Sequence, residues 1–138
     1  MPSKLNPYLN FKDNTRQAME FYKTVFGGDL NMMSFKDGGM SSGPAEDNKI
    51  MHAQLEASNG MTLMASDTPP GMDHRPGNNI SISLSGDADA ELRGYWQKLS
   101  AKGNVAMPLE PAPWGDTFGM CTDQFGIQWL VNISGKKN

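Results

Sequence analysis

The chain has 138 residues, enough for one domain with a real core and too few for two independent ones. A formal net charge of −3, with Lys and Arg scattered rather than striped, argues against a nucleic-acid or membrane surface. There is no apolar run of roughly 18 residues, Met1 to Asn14 is polar and carries Pro2 and Pro7, and Cys121 stands alone, so the expectations are a cytoplasmic location, no disulfide, no multi-cysteine metal site and a buried, inert thiol.

In chain order, Leu5 to Phe11 reads as a strand. Asn14 or Thr15 supplies an N-cap for an amphipathic helix from Thr15 to Phe26, which Gly27-Gly28 ends. Leu30 to Phe35 is a second strand. Residues 37 to 48 are too rich in glycine and polar residues for regular structure and read as a loop. Ile50 to Ala57 and Met61 to Ser66 form a hairpin around Ser58-Asn59-Gly60, whose Asn-Gly dipeptide is a strong turn signal. A proline-rich stretch from Asp67 to Gly77 links this half to the next. Asn79 to Leu84 is then a strand, Ala88 to Lys102 a helix after an Asp87 cap, with Gly103 ending it, and Val105 to Leu109, Thr117 to Thr122 and Ile127 to Ile133 are three more strands.

The order is βαβββ twice. Ala18, Phe21, Tyr22 and Val25 recur as Leu92, Tyr95, Trp96 and Leu99, the same helical face displaced by 74 positions. Gly60 and Gly126 open the two final strands. The expectation is an α+β fold of two tandem βαβββ modules, the first about 1–67, a linker about 68–78 and the second about 79–134. Neither half can bury its own apolar face, so the halves share one core or exchange partners in a dimer, and a cleft between modules is the place for a ligand. Phe21, Tyr22, Tyr95, Trp96 and Trp129 are expected in the core, as are most of the 11 methionines.

Several short segments then carry a resemblance: Pro7-Tyr8-Leu9, Ala18-Met-Glu-Phe-Tyr22, Phe26-Gly-Gly28, Met51-His-Ala53, Leu63-Met-Ala-Ser-Asp67, Tyr95-Trp96, Trp114-Gly-Asp116, Asp123-Gln-Phe-Gly126 and Trp129. Together they resemble the vicinal-oxygen-chelate superfamily of glyoxalases, bleomycin resistance proteins and dioxygenases, and within it the PhnB-like group, which carries a 3-demethylubiquinone-9 3-methyltransferase label. That label has little physical warrant here, because no glycine-rich loop follows a strand to seat a nucleotide-like methyl donor.

The resemblance implies a homodimer and a divalent metal held by His, Gln or Glu from the first and last strands of each module. Counting back from Phe21-Tyr22 puts the first position on Pro7; the duplicated frames put two more on Met64 and Leu130, and the fourth falls on Asn79 or Ser81. Such residues do not supply the convergent N and O ligands that a stable site needs. No metal and no cofactor are therefore expected.

What remains is a polar face. His52, Gln54 and Glu56 alternate on one strand while Met51, Ala53, Leu55 and Ala57 face the other way to pack on a helix. His52 and Glu56 are about 13 Å apart at strand rise, too far to hold one metal, and would act on different ends of a ligand. Thr62, Met64 and Ser66, with Gln128, Leu130 and Asn132, are expected to floor the cleft, and Ser81 and Ser83 to point the same way, with Ile80, Ile82 and Leu84 turned to the second helix. Trp114 is a candidate to stack on a ligand and Asp116 to accept a hydrogen bond, although a Trp-Gly-Asp turn also serves simply to hold a loop. His74 reads as a solvated loop residue.

The expected function is binding of a small, uncharged or partly apolar molecule, with no nucleic-acid or membrane partner. Two alternatives stay open. One is a metal-dependent glyoxalase or dioxygenase using unconventional ligands such as His52, Glu56 or Asp67; the other is antibiotic sequestration without chemistry.

Overall fold

A computed structural model describes residues 3–41 and 43–135. Residues 1, 2, 42 and 136–138 lie outside the described residues, and with them the sequence expectations for Pro2 and for Ser42 within the 37–48 loop. The chain divides into two compact units whose boundary falls between Pro76 and Gly77.

The first unit runs β1 (Tyr8–Phe11), α1 (Thr15–Phe26), β2 (Asp29–Ser34), β3 (Ile50–Glu56) and β4 (Thr62–Asp67). The second repeats it as β5 (Ile82–Gly86), α2 (Asp89–Ser100), β6 (Asn104–Pro111), β7 (Thr117–Thr122) and β8 (Gln128–Ile133). Their sheets have equivalent orders, β1-β4-β3-β2 and β5-β8-β7-β6, with the first and last strands of each unit parallel and the other pairs antiparallel. This is the α+β fold of two tandem βαβββ modules expected from the sequence.

Each helix packs on its own sheet. In the first unit Ala18, Met19, Tyr22, Val25 and Phe26 are buried against the sheet side that carries Leu9, Phe11, Ala53, Leu55, Leu63 and Ala65. In the second, Leu92, Tyr95 and Leu99 meet the side of Leu84, Cys121, Trp129, Val131 and Ile133. Phe21 and Trp96, expected in the core, are only half-buried. Residues advance by about 100° around a helix, so the stripe centred near Tyr22 in α1 leaves Phe21 at its edge, while α2 is turned to bury Tyr95 and leaves Trp96 at its own edge. The methionines also depart from expectation: Met19 is buried, but Met33, Met40, Met72 and Met107 are exposed.

The repeat extends to individual hydrogen bonds. In the hairpin before β4, Ala57 N–H donates to Met61 O at 2.8 Å and Gly60 N–H to Ala57 O at 3.0 Å; before β8, Asp123 N–H donates to Ile127 O at 2.8 Å and Gly126 N–H to Asp123 O at 3.0 Å. Both turns need a left-handed residue, and Gly60 and Gly126 supply it at φ +87° and +88°.

The helix starts differ from the sequence reading. Asn14 makes no side-chain cap bond, and the N-cap of α2 is Ala88 rather than Asp87, with the helix beginning at Asp89. Cys121 is buried as expected, and burial, then the charge of Asp123, pushes its thiol up to about 11. Among the described residues no helix is long and apolar enough to cross a membrane.

Candidate functional site

Alternation along β3 and β4 places two sets of side chains on opposite sides of the first sheet. Ala53, Leu55, Leu63 and Ala65 are buried under α1; His52, Gln54, Glu56, Thr62, Met64 and Ser66 occupy the other side and are half-buried or exposed. Strand register brings neighbours to them. Gln54 pairs with Met64 and Glu56 with Thr62 across β3 and β4, Met33 pairs with His52 across β2 and β3, and Tyr8 pairs with Met64 across β1 and β4.

These polar groups form one connected chain. The Tyr8 hydroxyl lies 3.3 Å from His52 Nδ1, and the two rings have centroids 5.8 Å apart. His52 Nε2 lies 3.3 Å from Gln54 Oε1, and Gln54 Nε2 donates to Glu56 Oε1. Thr62 Oγ1 donates to Glu56 Oε2 at 2.9 Å. The Gln54 bond first, and the Thr62 bond second, hold the Glu56 carboxyl below its ordinary pKa, with the charge of Lys4 adding to them and desolvation opposing.

Tyr8 is the member that sequence reasoning missed. The signal was available in the alternation Tyr8, Leu9, Asn10, Phe11: with Leu9 and Phe11 buried under the helix, Tyr8 and Asn10 must face the other way. A second departure concerns the start of β3. Between Met33 and Ser34 the pairing skips Met51, so that Ser34 pairs with Ile50. This irregularity breaks the alternation, buries Ile50 in place of Met51, and leaves Met51 beside Gly38 of the following loop.

In the second unit Gln128, Leu130 and Asn132 are half-buried on the side of β8 away from α2, alternating with buried Trp129, Val131 and Ile133. Ser81 lies just before β5 and donates to Gln128 Oε1 at 3.2 Å. Ser83 pairs with Leu130. Leu84 faces the helix as expected, but Ile80 precedes the strand and is 78% exposed. Trp114, in the turn between β6 and β7, is 62% exposed and edge-on to Phe118 at 5.8 Å. Asp116 is occupied in holding that turn: its carboxylate accepts from Asn132 Nδ2 at 3.0 Å and from Gly135 N–H at 2.9 Å.

The superfamily's metal chemistry can be tested against the donors present. Beside the positions counted on Pro7, Met64, Leu130 and Asn79 or Ser81, strand register sets Tyr8 next to Met64, whose N–H donates to Pro7 O at 3.1 Å, and Ser83 next to Leu130. A phenol, a thioether, a hydroxyl and an alkyl group do not fit a divalent ion that seeks imidazole and carboxylate ligands. No group of three His, Cys, Asp or Glu side chains suited to a metal occurs among the described residues. Asp67, one of the unconventional ligands, is 2% exposed and on the helix side of the sheet, where Oδ1 accepts from Thr15 N–H at 3.1 Å and Oδ2 from Ile50 N–H at 2.8 Å.

Away from this face, a cavity of about 410 Å³ is lined by Lys12, Asp13, Lys49 and residues 68–75. Two of its cations are already matched by anions: Lys49 Nζ is 3.0 Å from Asp13 and 2.8 Å from Glu46, and Arg75 is 2.8 Å from Asp73. His74 is not simply solvated, since its Nε2 lies 3.1 Å from Asn10 O.

The junctions that a methyl donor would use are Lys12-Asp13-Asn14 and Asp87-Ala88, and neither is a glycine-rich loop. Comparison with known proteins agrees with the fold. The chain is 39% identical to PA1353 of Pseudomonas aeruginosa, whose crystal structure superposes with a TM-score of 0.83 over 98% of this chain and 100% of that one. A PhnB protein from Bacillus cereus, provisionally named a 3-demethylubiquinone-9 3-methyltransferase, shares the fold at 22% identity and a TM-score of 0.77, with 96% of this chain and 100% of that one covered. YjdN of Escherichia coli (strain K12) is 26% identical over 94% of each chain. The model of the glyoxalase/bleomycin resistance protein/dioxygenase superfamily matches residues 4–131, and the chain belongs to that superfamily.

Proposed function

We propose that this protein binds a small, uncharged or partly apolar molecule on the polar face of its first sheet, that it does so without the superfamily's divalent metal, and that it works as a cytoplasmic homodimer. The observation that carries this reading is the connected chain of His52, Gln54, Glu56 and Thr62 on the side of the sheet that the helix leaves uncovered. Its polar groups are prearranged, and Met33 and Met64 beside them offer adaptable apolar contact. Gln128, Leu130, Ser81 and Trp114 are the corresponding candidates in the second unit. Exposed Val105 and Met107 on the edge strand β6 support self-association.

Native mass spectrometry of protein never exposed to chelator, followed by titration with phenol and its methyl ether anisole, tests the proposal. The expected result is a metal-free dimer in which either neutral probe shifts the amide resonances of β3 and β4, with binding weakened severalfold in His52→Ala. One retained divalent metal per subunit would overturn the metal-independent reading. Failure of both probes to reach this face at millimolar concentration would overturn the binding site.

A further inference from the structure

The polar chain on the first sheet has a direction, and the direction specifies what a ligand must offer. It begins at Glu56, a carboxylate at neutral pH that accepts from two neighbours. An ionised carboxylate only accepts hydrogen bonds. Its two oxygens therefore take an N–H of Gln54 and the hydroxyl proton of Thr62. With its amino group turned to Glu56, Gln54 presents its carbonyl oxygen to His52 Nε2 at 3.3 Å, so that ring nitrogen carries the proton. A neutral imidazole has one N–H. Nδ1 is then the lone-pair nitrogen, and the Tyr8 hydroxyl, 3.3 Å away, is the donor to it.

The single proton of Tyr8 is thus committed inward, toward His52. Its oxygen keeps lone pairs on a side chain that is 44% exposed, and Met64 lies directly beside it in register. We propose that Tyr8 is a ligand-binding residue at the head of this chain, and that it selects neutral molecules carrying an O–H or N–H donor, of the alcohol or phenol class, over molecules of the same shape that only accept. Glu56 is a positioning residue in this scheme: it acts on the ligand through Gln54, His52 and Tyr8, aligned bonds that polarise one another. The inference rests on the reading that this face binds a small molecule.

Two measurements on the full chain test it. Long-range ¹H–¹⁵N NMR of the neutral His52 ring should show the Nε2–H tautomer; the Nδ1–H tautomer would reverse the chain and overturn the proposal before any ligand is added. Phenol should then bind about fivefold more tightly than anisole, the worth of one neutral hydrogen bond, and the ratio should fall to about one in Tyr8→Phe, which keeps the ring, and fall part of the way in Glu56→Gln, whose amide donates as well as accepts. Equal binding of phenol and anisole to the unmodified protein would overturn the role of Tyr8 while leaving the binding face intact. Binding of neither would remove the face itself, and the inference with it.

Discussion

Tyr95 and Cys121 show how two side chains of ordinary reactivity become inert through their surroundings. Desolvation, followed by the hydrogen bond and the charge of Glu91, pushes Tyr95 up to about 12; Cys121 is raised to about 11 by desolvation and then by Asp123. Both groups gain a charge when they lose a proton. The native state therefore holds these protons to higher pH than the unfolded chain does, and stability falls wherever the native state binds more protons. Their contribution is complete at neutral pH and is lost progressively as pH rises through the ordinary tyrosine and thiol range toward about 12. The urea midpoint should drop between pH 9 and pH 11.5, and Tyr95→Phe should flatten part of that decline; a midpoint independent of pH would contradict the assignment. That Cys121 is buried was expected from the sequence, because a lone free cysteine usually is, but the raised Tyr95 depends on its burial and on the Glu91 carboxylate one helical turn away.

At the scale of elements, α1 and β3 start where they do because of a residue remote from both. Asp67 ends β4, and its two oxygens receive the first amide of the helix and the first amide of β3. It takes the place of the local cap that Asn14 does not provide. Asp67→Ala would leave two buried amides without acceptors, at roughly 1–3 kcal/mol each. A loss of about 2–6 kcal/mol is expected in chemical denaturation, with Asp67→Asn, which keeps one accepting oxygen, losing less. The same dependence on partners explains which parts of the elements were readable. The end of α1 before Gly27 and the limits of β7 follow from local glycine and alternation and agree with the reading from sequence. The Met51 irregularity does not: it is a mismatch between β2 and β3, and neither strand contains it alone. The face of Tyr8 follows from the alternation of β1 with buried Leu9 and Phe11, whereas its pairing with Met64 comes only from the parallel register of β1 and β4.

The whole molecule is a duplication, and its two copies obey the same close-packing constraint. Each helix is followed by a glycine that meets the backbone at the end of the second strand after it. A Cβ on Gly28 would lie 2.0 Å from Glu56 O, and one on Gly103 would lie 2.1 Å from Thr122 O. Gly28 also has φ +97°. Alanine at either position must displace backbone, so Gly28→Ala and Gly103→Ala should each cost about 2–4 kcal/mol, Gly28→Ala the more because of its dihedral, as measured by thermal or urea unfolding. By itself the sequence determined the βαβββ repeat, the α+β class, the helix-facing core and the alternation that sets His52, Gln54 and Glu56 on one side, because these depend on periodicities of 3.6 and 2 and on glycine at left-handed turns. Only the tertiary structure decided that the Tyr8 hydroxyl meets His52, that Asp67 accepts the first amides of α1 and β3, and that Asp116 holds a turn. Those outcomes depend on which backbone amides and side chains meet across strands far apart in the chain, and hydrogen-bond partners of that kind leave no local pattern to read.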